Sequence, residues 1–215
     1  MKIREFVRGM TRPRMGRRIV SLLLSVEMMG VCVAVFDRIA LGTDPCSTMN
    51  LGLSRLTGLS FGTWQLTLNA LLMLIVLRFD VGRIGAGTLA NMVLIGYTAD
   101  FVMAVLDRFP ALLTLTLCMR LAVFVPTMLL FLLAASVYMA VDLGVAPYDA
   151  VPQILAAHAN RLSFRAIRVC WDVGVMLIGF ALGSTVGLTT VVTGFCLGPV
   201  IAAVTERMKG FYGEA

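Results

Sequence analysis

Leu41-Gly42-Thr43-Asp44-Pro45 returns about one hundred residues later as Leu143-Gly144-Val145-Ala146-Pro147. Around this pair the rest of the chain repeats in the same order. Leu59-Ser60-Phe61 returns as Leu162-Ser163-Phe164, and Ile84-Gly85-Ala86-Gly87-Thr88, closing on Gly96, returns as Val186-Gly187-Leu188-Thr189-Thr190, closing on Gly198. The spacings agree to within one residue. Self-similarity at a fixed offset marks two related halves. In an apolar chain the seam between such halves is where transport proteins place binding sites.

The composition is apolar enough for that reading. Of 215 residues, 59% are hydrophobic and 14% charged, and the mean hydropathy is +0.92. A soluble domain carries roughly 25% charge, so too little polar surface exists here to coat a water-soluble globule. Seven of the 18 Lys and Arg lie in the first 18 residues, ahead of the first apolar stretch. That stretch, Ile19 to Ala40, is too long for a signal-peptide core and ends without a small-x-small cleavage site. Beside a membrane span, a basic run marks the cytoplasmic side and touches anionic lipid, which argues against a nucleic-acid role. His158 is the sole histidine, and four of the five cysteines sit in apolar segments with no CxxC pair. Neither a metal site nor any cofactor is expected.

A span needs about 20 apolar residues. Six are expected, over 19–41, 61–79, 85–106, 119–142, 166–184 and 186–205. With the N-terminus inside, the flanking Lys and Arg divide 14 inside to 4 outside, the outer four being Arg38, Arg55, Arg108 and Arg120. Both termini are therefore expected in the cytoplasm of a multi-pass inner-membrane protein. The chain divides into a basic segment at 1–18, a three-span repeat at 19–107, a second at 111–206 and a cytoplasmic tail at 207–215. Three is odd, so the second repeat enters from the opposite side. The expected fold is all-α, with six transmembrane helices forming two inverted three-helix repeats.

Each half also holds a segment too short and polar to span, at 44–57 and 146–160. Each opens with proline at the first helical position, where its missing N–H costs nothing. Asp44 is a plausible N-cap for the first, and Asp149 suits the first turn of the second. Both read as short helices, either lying in the interface or dipping back into the bundle. Glycines at 87 and 187 suit close helix approach, and Pro126 should kink the fourth span.

Ionisable groups within spans cost about 2.5–3.5 kcal/mol at the centre, so they usually face the protein interior. Glu27 and Asp172 are candidates for proton or cation coupling. Asn91, Tyr148, Asp149 and Thr193 are candidates for substrate contact. Asn69 holds the position matching Asp172, and Asn91 matches Thr193. Asp100 completes a polar lining, whereas Asp142 and Arg120 fall near span ends. Trp64 and Trp171 read as interfacial anchors. No nucleophile–base pair stands out, so an enzyme is not expected.

The two-fold pattern of Leu-Gly-x-x-Pro, short helix, Ser-Phe span entry and Gly-x-x-Thr resembles the YczE/YitT-type family of bacterial integral membrane proteins, over about residues 20–205. Pro147-Tyr148-Asp149-Ala150 is similar to that family's Pro-Trp-Asp signature, with Tyr in place of Trp. Pro45-Cys46-Ser47-Thr48 lacks both the aromatic and the acid. The resemblance implies the architecture and a bacterial inner-membrane location, but no activity. The leading functional expectation is a small-molecule secondary transporter or permease, with an unknown substrate and lipid as its surroundings, and pairing into a homodimer would be usual for its size. One alternative is the substrate-binding membrane subunit of a multi-component importer, although Leu22 to Val33 lacks an Ala-x-x-x-Ala docking stripe. Another is a membrane scaffold or regulator working through the basic tail.

Overall fold

A computed structural model describes residues 14–109, 115–159 and 162–212. Most of the basic N-terminal run, Arg161 and the last three residues fall outside them. The described chain is helical throughout. Its elements are α1 (Met15–Ile39), α2 (Pro45–Thr57), α3 (Phe61–Phe79), a 3-10 turn (Val81–Arg83), α4 (Ala86–Leu106), α5 (Leu117–Val141), α6 (Pro147–His158), α7 (Phe164–Ala181) and α8 (Leu188–Tyr212). Helix α5 runs through Pro126 without a break in its assignment.

The repeated motifs become repeated helix boundaries. Helices α1 and α5 both end on a residue in the left-handed region, Ala40 (φ 53°) and Asp142 (φ 50°). Two residues later come Gly42 (φ +84°) and Gly144 (φ +111°), where a side chain would be strained. Both short helices then start at proline. Asp44 caps α2 by accepting from the Ser47 N–H at 3.1 Å. Ser60 caps α3 by accepting from the Thr63 N–H (3.2 Å), and Ser163 caps α7 by accepting from the Ala166 N–H (3.3 Å). Replacing either serine with alanine should cost about 1 kcal/mol. Equal losses of thermal stability in Ser60→Ala and Ser163→Ala would show that the two caps are equivalent.

Packing follows the same duplication. Helices α1 and α5 lie against each other at the centre, where the Phe36 ring meets Phe124 and Phe131 at centroid distances of 6.2 and 5.7 Å. Helix α4 packs on α1 as α8 packs on α5. Each short helix packs against the second long helix of the other half, α2 on α7 and α6 on α3. Exchanging the halves therefore returns the same principal helix pairs.

The motif loops cross in the same way. The Leu143 carbonyl accepts from the Gly87 N–H at 2.7 Å, and the Leu41 carbonyl accepts from the Thr189 N–H at 3.0 Å. The Leu-Gly-x-x-Pro of each half thus sits on the Gly-x-x-Thr of the other. No room is left for a side chain at these crossings. A Cβ on Gly85 would lie 2.2 Å from the Leu143 oxygen, and one on Gly187 would lie 2.4 Å from the Leu41 oxygen. The glycines expected to allow close approach serve packing.

Among the described residues, four helices, α1, α3, α4 and α5, are long and apolar enough to cross a membrane. Helix α7 falls short of the six-span expectation because its 18 residues include Arg165, Arg168 and Asp172. The short helices dip into the bundle rather than lying along its surface. All of α2 from Pro45 to Gly52 is buried, while its last residues are exposed. In α6 the buried residues likewise gather toward the N-terminal end, from Pro147 to Ile154, and Leu155 is exposed.

Candidate functional site

The N-terminal ends of α2 and α6 meet at a cavity of ≈ 80 Å³ between the halves. That is space for several waters, each needing about 10–15 Å³. Its lining has an informative order. Fourteen of the 17 lining residues form seven pairs that occupy matching positions in the two halves. The pairs are Met29 with Phe131, Asp44 with Ala146, Cys46 with Tyr148, Ser47 with Asp149, Gln65 with Arg168, Asn69 with Asp172, and Asn91 with Thr193. A residue and its mate can touch one small cavity only if the relation between the halves passes through it. The cavity lies on the seam.

Its two sides carry different chemistry. On the second-half side Arg168 is held between two acids, reaching Asp149 Oδ1 at 2.6 Å and Asp172 Oδ2 at 2.8 Å. The Tyr148 hydroxyl donates to Asp172 Oδ1 at 2.7 Å, and the guanidinium lies 5.4 Å from the Tyr148 ring centre. Charge-assisted bonds in a largely buried setting hold this side in one geometry. The Tyr148 N–H donates to Asn69 Oδ1 across the seam at 3.2 Å. On the first-half side the matching positions are neutral. Gln65 Oε1 accepts from Asn50 Nδ2 at 2.6 Å, and the Cys46 thiol lies 3.9 Å from the same oxygen.

The structure brings together five of the six expected site residues: Asn91, Tyr148, Asp149, Asp172 and Thr193. Glu27 is not among them. It is half-buried on α1 and accepts from the Thr98 hydroxyl of α4. Asp100 also lies elsewhere, accepting from the Gly62 N–H at 2.9 Å and so tying α4 to the start of α3. Trp171 is no interfacial anchor, because its ring packs on Tyr148 at 5.8 Å behind the cavity. Trp64 donates to Thr57 Oγ1 at 2.8 Å beside the exposed end of α2.

Sequence reading missed Arg168, which it placed among the cytoplasmic flanking charges. The signal was present: Arg168 stands four residues before Asp172, one helical turn, where opposite charges pair. Gln65 was missed as well, although it matches Arg168 at the same offset that relates Asn69 to Asp172. Asp44 was seen as a cap and not as a cavity residue.

Apolar outer faces, a polar cleft on the seam and four membrane-length helices define a helical membrane protein. The chain belongs to the family of unknown function DUF6198, whose model matches residues 16–206. It is similar to an uncharacterized membrane protein, YczE, of Bacillus subtilis (strain 168), with 27% identity over 83% of this chain and 80% of the relative. It is also similar to an uncharacterized protein of Haemophilus influenzae (strain Rd), with 25% identity over 84% of this chain and 79% of the relative. The YczE-type resemblance of the motifs is thereby borne out. No solved structure matches the chain significantly.

Proposed function

We propose that this protein is a small-molecule permease that crosses the bacterial inner membrane six times, as two oppositely inserted halves, and binds its substrate at the seam cavity. The observation that carries the reading is the seven matched pairs lining one polar cavity. Transporters built from inverted repeats bind at the repeat interface, where half-helix ends meet. Here those ends are the N-termini of α2 and α6.

Six crossings fit the remaining helices. The charges of α7 are largely internal, since Arg168 and Asp172 pair with each other. Residues 188–205, the first 18 of α8, contain no Asp, Glu, Lys or Arg. The start of α1 and the end of α8 lie together, because Arg18 donates to the carbonyls of Val141 and Tyr212. An even number of crossings requires that. The exposed ends of α2 and α6 lie with different neighbours. Arg55 of α2 pairs with Asp37 at the end of α1 (2.7 Å), whereas Gln153 of α6 meets Arg83 just after α3. Oppositely inserted halves place these two ends on opposite faces. With Arg168 removed from the flank count, the positive-inside balance remains 13 to 4.

In this reading Asp172 is the coupling carboxylate, and Asn91, Tyr148, Asp149 and Thr193 contact substrate. No nucleophile is activated by a base in the cavity, which favours transport over catalysis. The test is a thermal-stability screen of the detergent-purified protein against a broad metabolite panel. One compound class should raise the melting temperature saturably, and the response should weaken in Asp172→Asn. Absence of any response from a well-folded sample would overturn the permease reading.

A further inference from the structure

The hydrogen-bonding capacity left open in the cavity identifies a substrate class. Asn91 is 4% exposed and lines the cavity, yet its amide has no hydrogen-bond partner among the described residues. Gln65, 5% exposed, uses its Oε1 but has no partner for its Nε2 among those residues. Asp44 accepts from Ser47 through Oδ1 only, and its Oδ2 has no partner there. These atoms open onto the cavity with their hydrogen-bonding capacity unused by the described residues, so water or a ligand in the cavity can meet them.

Charge gives the sign of that occupant. Three carboxylates, Asp44, Asp149 and Asp172, line the cavity against one guanidinium. Arg168 is occupied by Asp149 and Asp172. Asp44 has no cation partner among the described residues, because the half-one position matching Arg168 is the neutral Gln65. The N-terminus of α2 favours the Asp44 anion, while its burial and the neighbouring Asp149 and Asp172 penalise that charge, so a cation entering the cavity would stabilise the carboxylate. An anionic substrate would find the cavity's only guanidinium already taken and would face an uncompensated carboxylate. A metal ion is disfavoured, because no group of three His, Cys, Asp or Glu able to hold one exists among the described residues. Met29, Ile95 and Phe131 supply an apolar side for a short carbon chain.

We infer that the seam cavity binds a small primary organic ammonium compound, with Asp44 as its counter-ion and the Asn91 amide oxygen accepting from the ammonium group. The inference rests on the permease reading of the same cavity. The substrate supplies in the first half the positive charge that Arg168 supplies in the second. The cavity volume restricts it to a few non-hydrogen atoms, on the scale of methylammonium or ethanolamine.

The test compares melting temperatures of the protein in detergent with ethanolamine, with ethylene glycol as its neutral analogue of equal size, with lactate as an anion, and with sodium against N-methylglucamine as the salt cation. Ethanolamine alone should stabilise saturably. Asp44→Asn keeps an N-cap of equal rank, so its ligand-free melting temperature should hold while apparent affinity falls at least tenfold. Asn91→Thr, which imports the residue of the matching position, should weaken binding similarly if Asp44→Asn does not fold. Equal stabilisation by the neutral analogue, a response to lactate or sodium alone, or an undiminished ethanolamine response in both variants would overturn the ammonium assignment and leave the permease reading standing. No response to any of these compounds would overturn the ammonium assignment, and the permease reading would fall with it only if the broad metabolite panel gave no response either.

Discussion

Gly85→Ala is expected to leave little folded protein, and Gly187→Ala to behave alike. A methyl group at Gly85 would sit 2.2 Å from the Leu143 carbonyl oxygen, and one at Gly187 would sit 2.4 Å from that of Leu41. Both obstacles are backbone, so no side-chain rotation relieves them. Overpacking costs about 1–3 kcal/mol where neighbours can yield, and more where they cannot. The strain also falls where the halves grip each other, because the neighbouring Gly87 and Thr189 N–H groups bond to those same carbonyls. Each substitution should therefore loosen the whole seam. Gly174→Ala is the control. Its Cβ would meet nothing within 4 Å, so the melting temperature should not fall. Size-exclusion profiles and melting temperatures of the three variants check the expectation. A well-folded Gly85→Ala protein of wild-type stability would mean that the loops do not cross as described.

Arg168→Met should be the most damaging change in the cavity. It removes the cation between Asp149 and Asp172, whose side chains are 28% and 8% exposed. Breaking a buried ion pair by removing one partner costs about 3–5 kcal/mol, because the remaining charge stays without compensation. The first half shows how the protein manages without these charges. At the matching positions it carries Ser47, Gln65 and Asn69. Combining Arg168→Gln with Asp149→Ser and Asp172→Asn should therefore recover most of the stability lost in Arg168→Met. The same triple variant should weaken the ligand response, since Asp149 and Asp172 leave the cavity while Asp44 and Asn91 stay. Melting temperatures with and without ligand separate the two effects. If the triple variant is no more stable than Arg168→Met, the charges matter for more than mutual compensation.

The helix plan was largely legible in the sequence. Expected spans at 61–79 and 85–106 correspond to helices Phe61–Phe79 and Ala86–Leu106. Apolar length and the caps at Ser60 and Ser163 are local signals, and local signals fix helix ends. Five of the six candidate residues line the cavity. Tyr148 and Asp149 were legible from the start of the repeated short helix, and Asn91, Asp172 and Thr193 as polar groups within apolar helices. Glu27 satisfied the same rule and still lies elsewhere. Its partner Thr98 sits on a helix 71 residues away, and depth alone does not say which face a group occupies. Trp171 was misplaced for a related reason, since nearness to a helix end does not distinguish a lipid-facing ring from one packed on Tyr148.

Arg168 was hidden by counting rules that treat every terminal arginine as a topology marker. The crossing of the motifs was hidden more deeply. Comparison of the halves aligns Leu41 with Leu143 and Gly85 with Gly187. The physical contacts run instead from Leu143 to Gly87 and from Leu41 to Thr189. A repeat shows which residues are equivalent. It does not show that each packs on its partner's neighbour, which follows only once two halves are folded against each other.

The account rests most heavily on the opposite insertion of those halves. Leu59 and Leu162 occupy matching positions in the Leu-Ser-Phe motif, and both are exposed. In a background with the exposed Cys118 and Cys170 replaced by serine, Leu59→Cys and Leu162→Cys can each be labelled in intact cells with a membrane-impermeant maleimide. The account predicts labelling at position 59 from outside, and at position 162 only after the membrane is opened. Labelling of both positions from the same side would contradict the inverted arrangement, and with it the seam site.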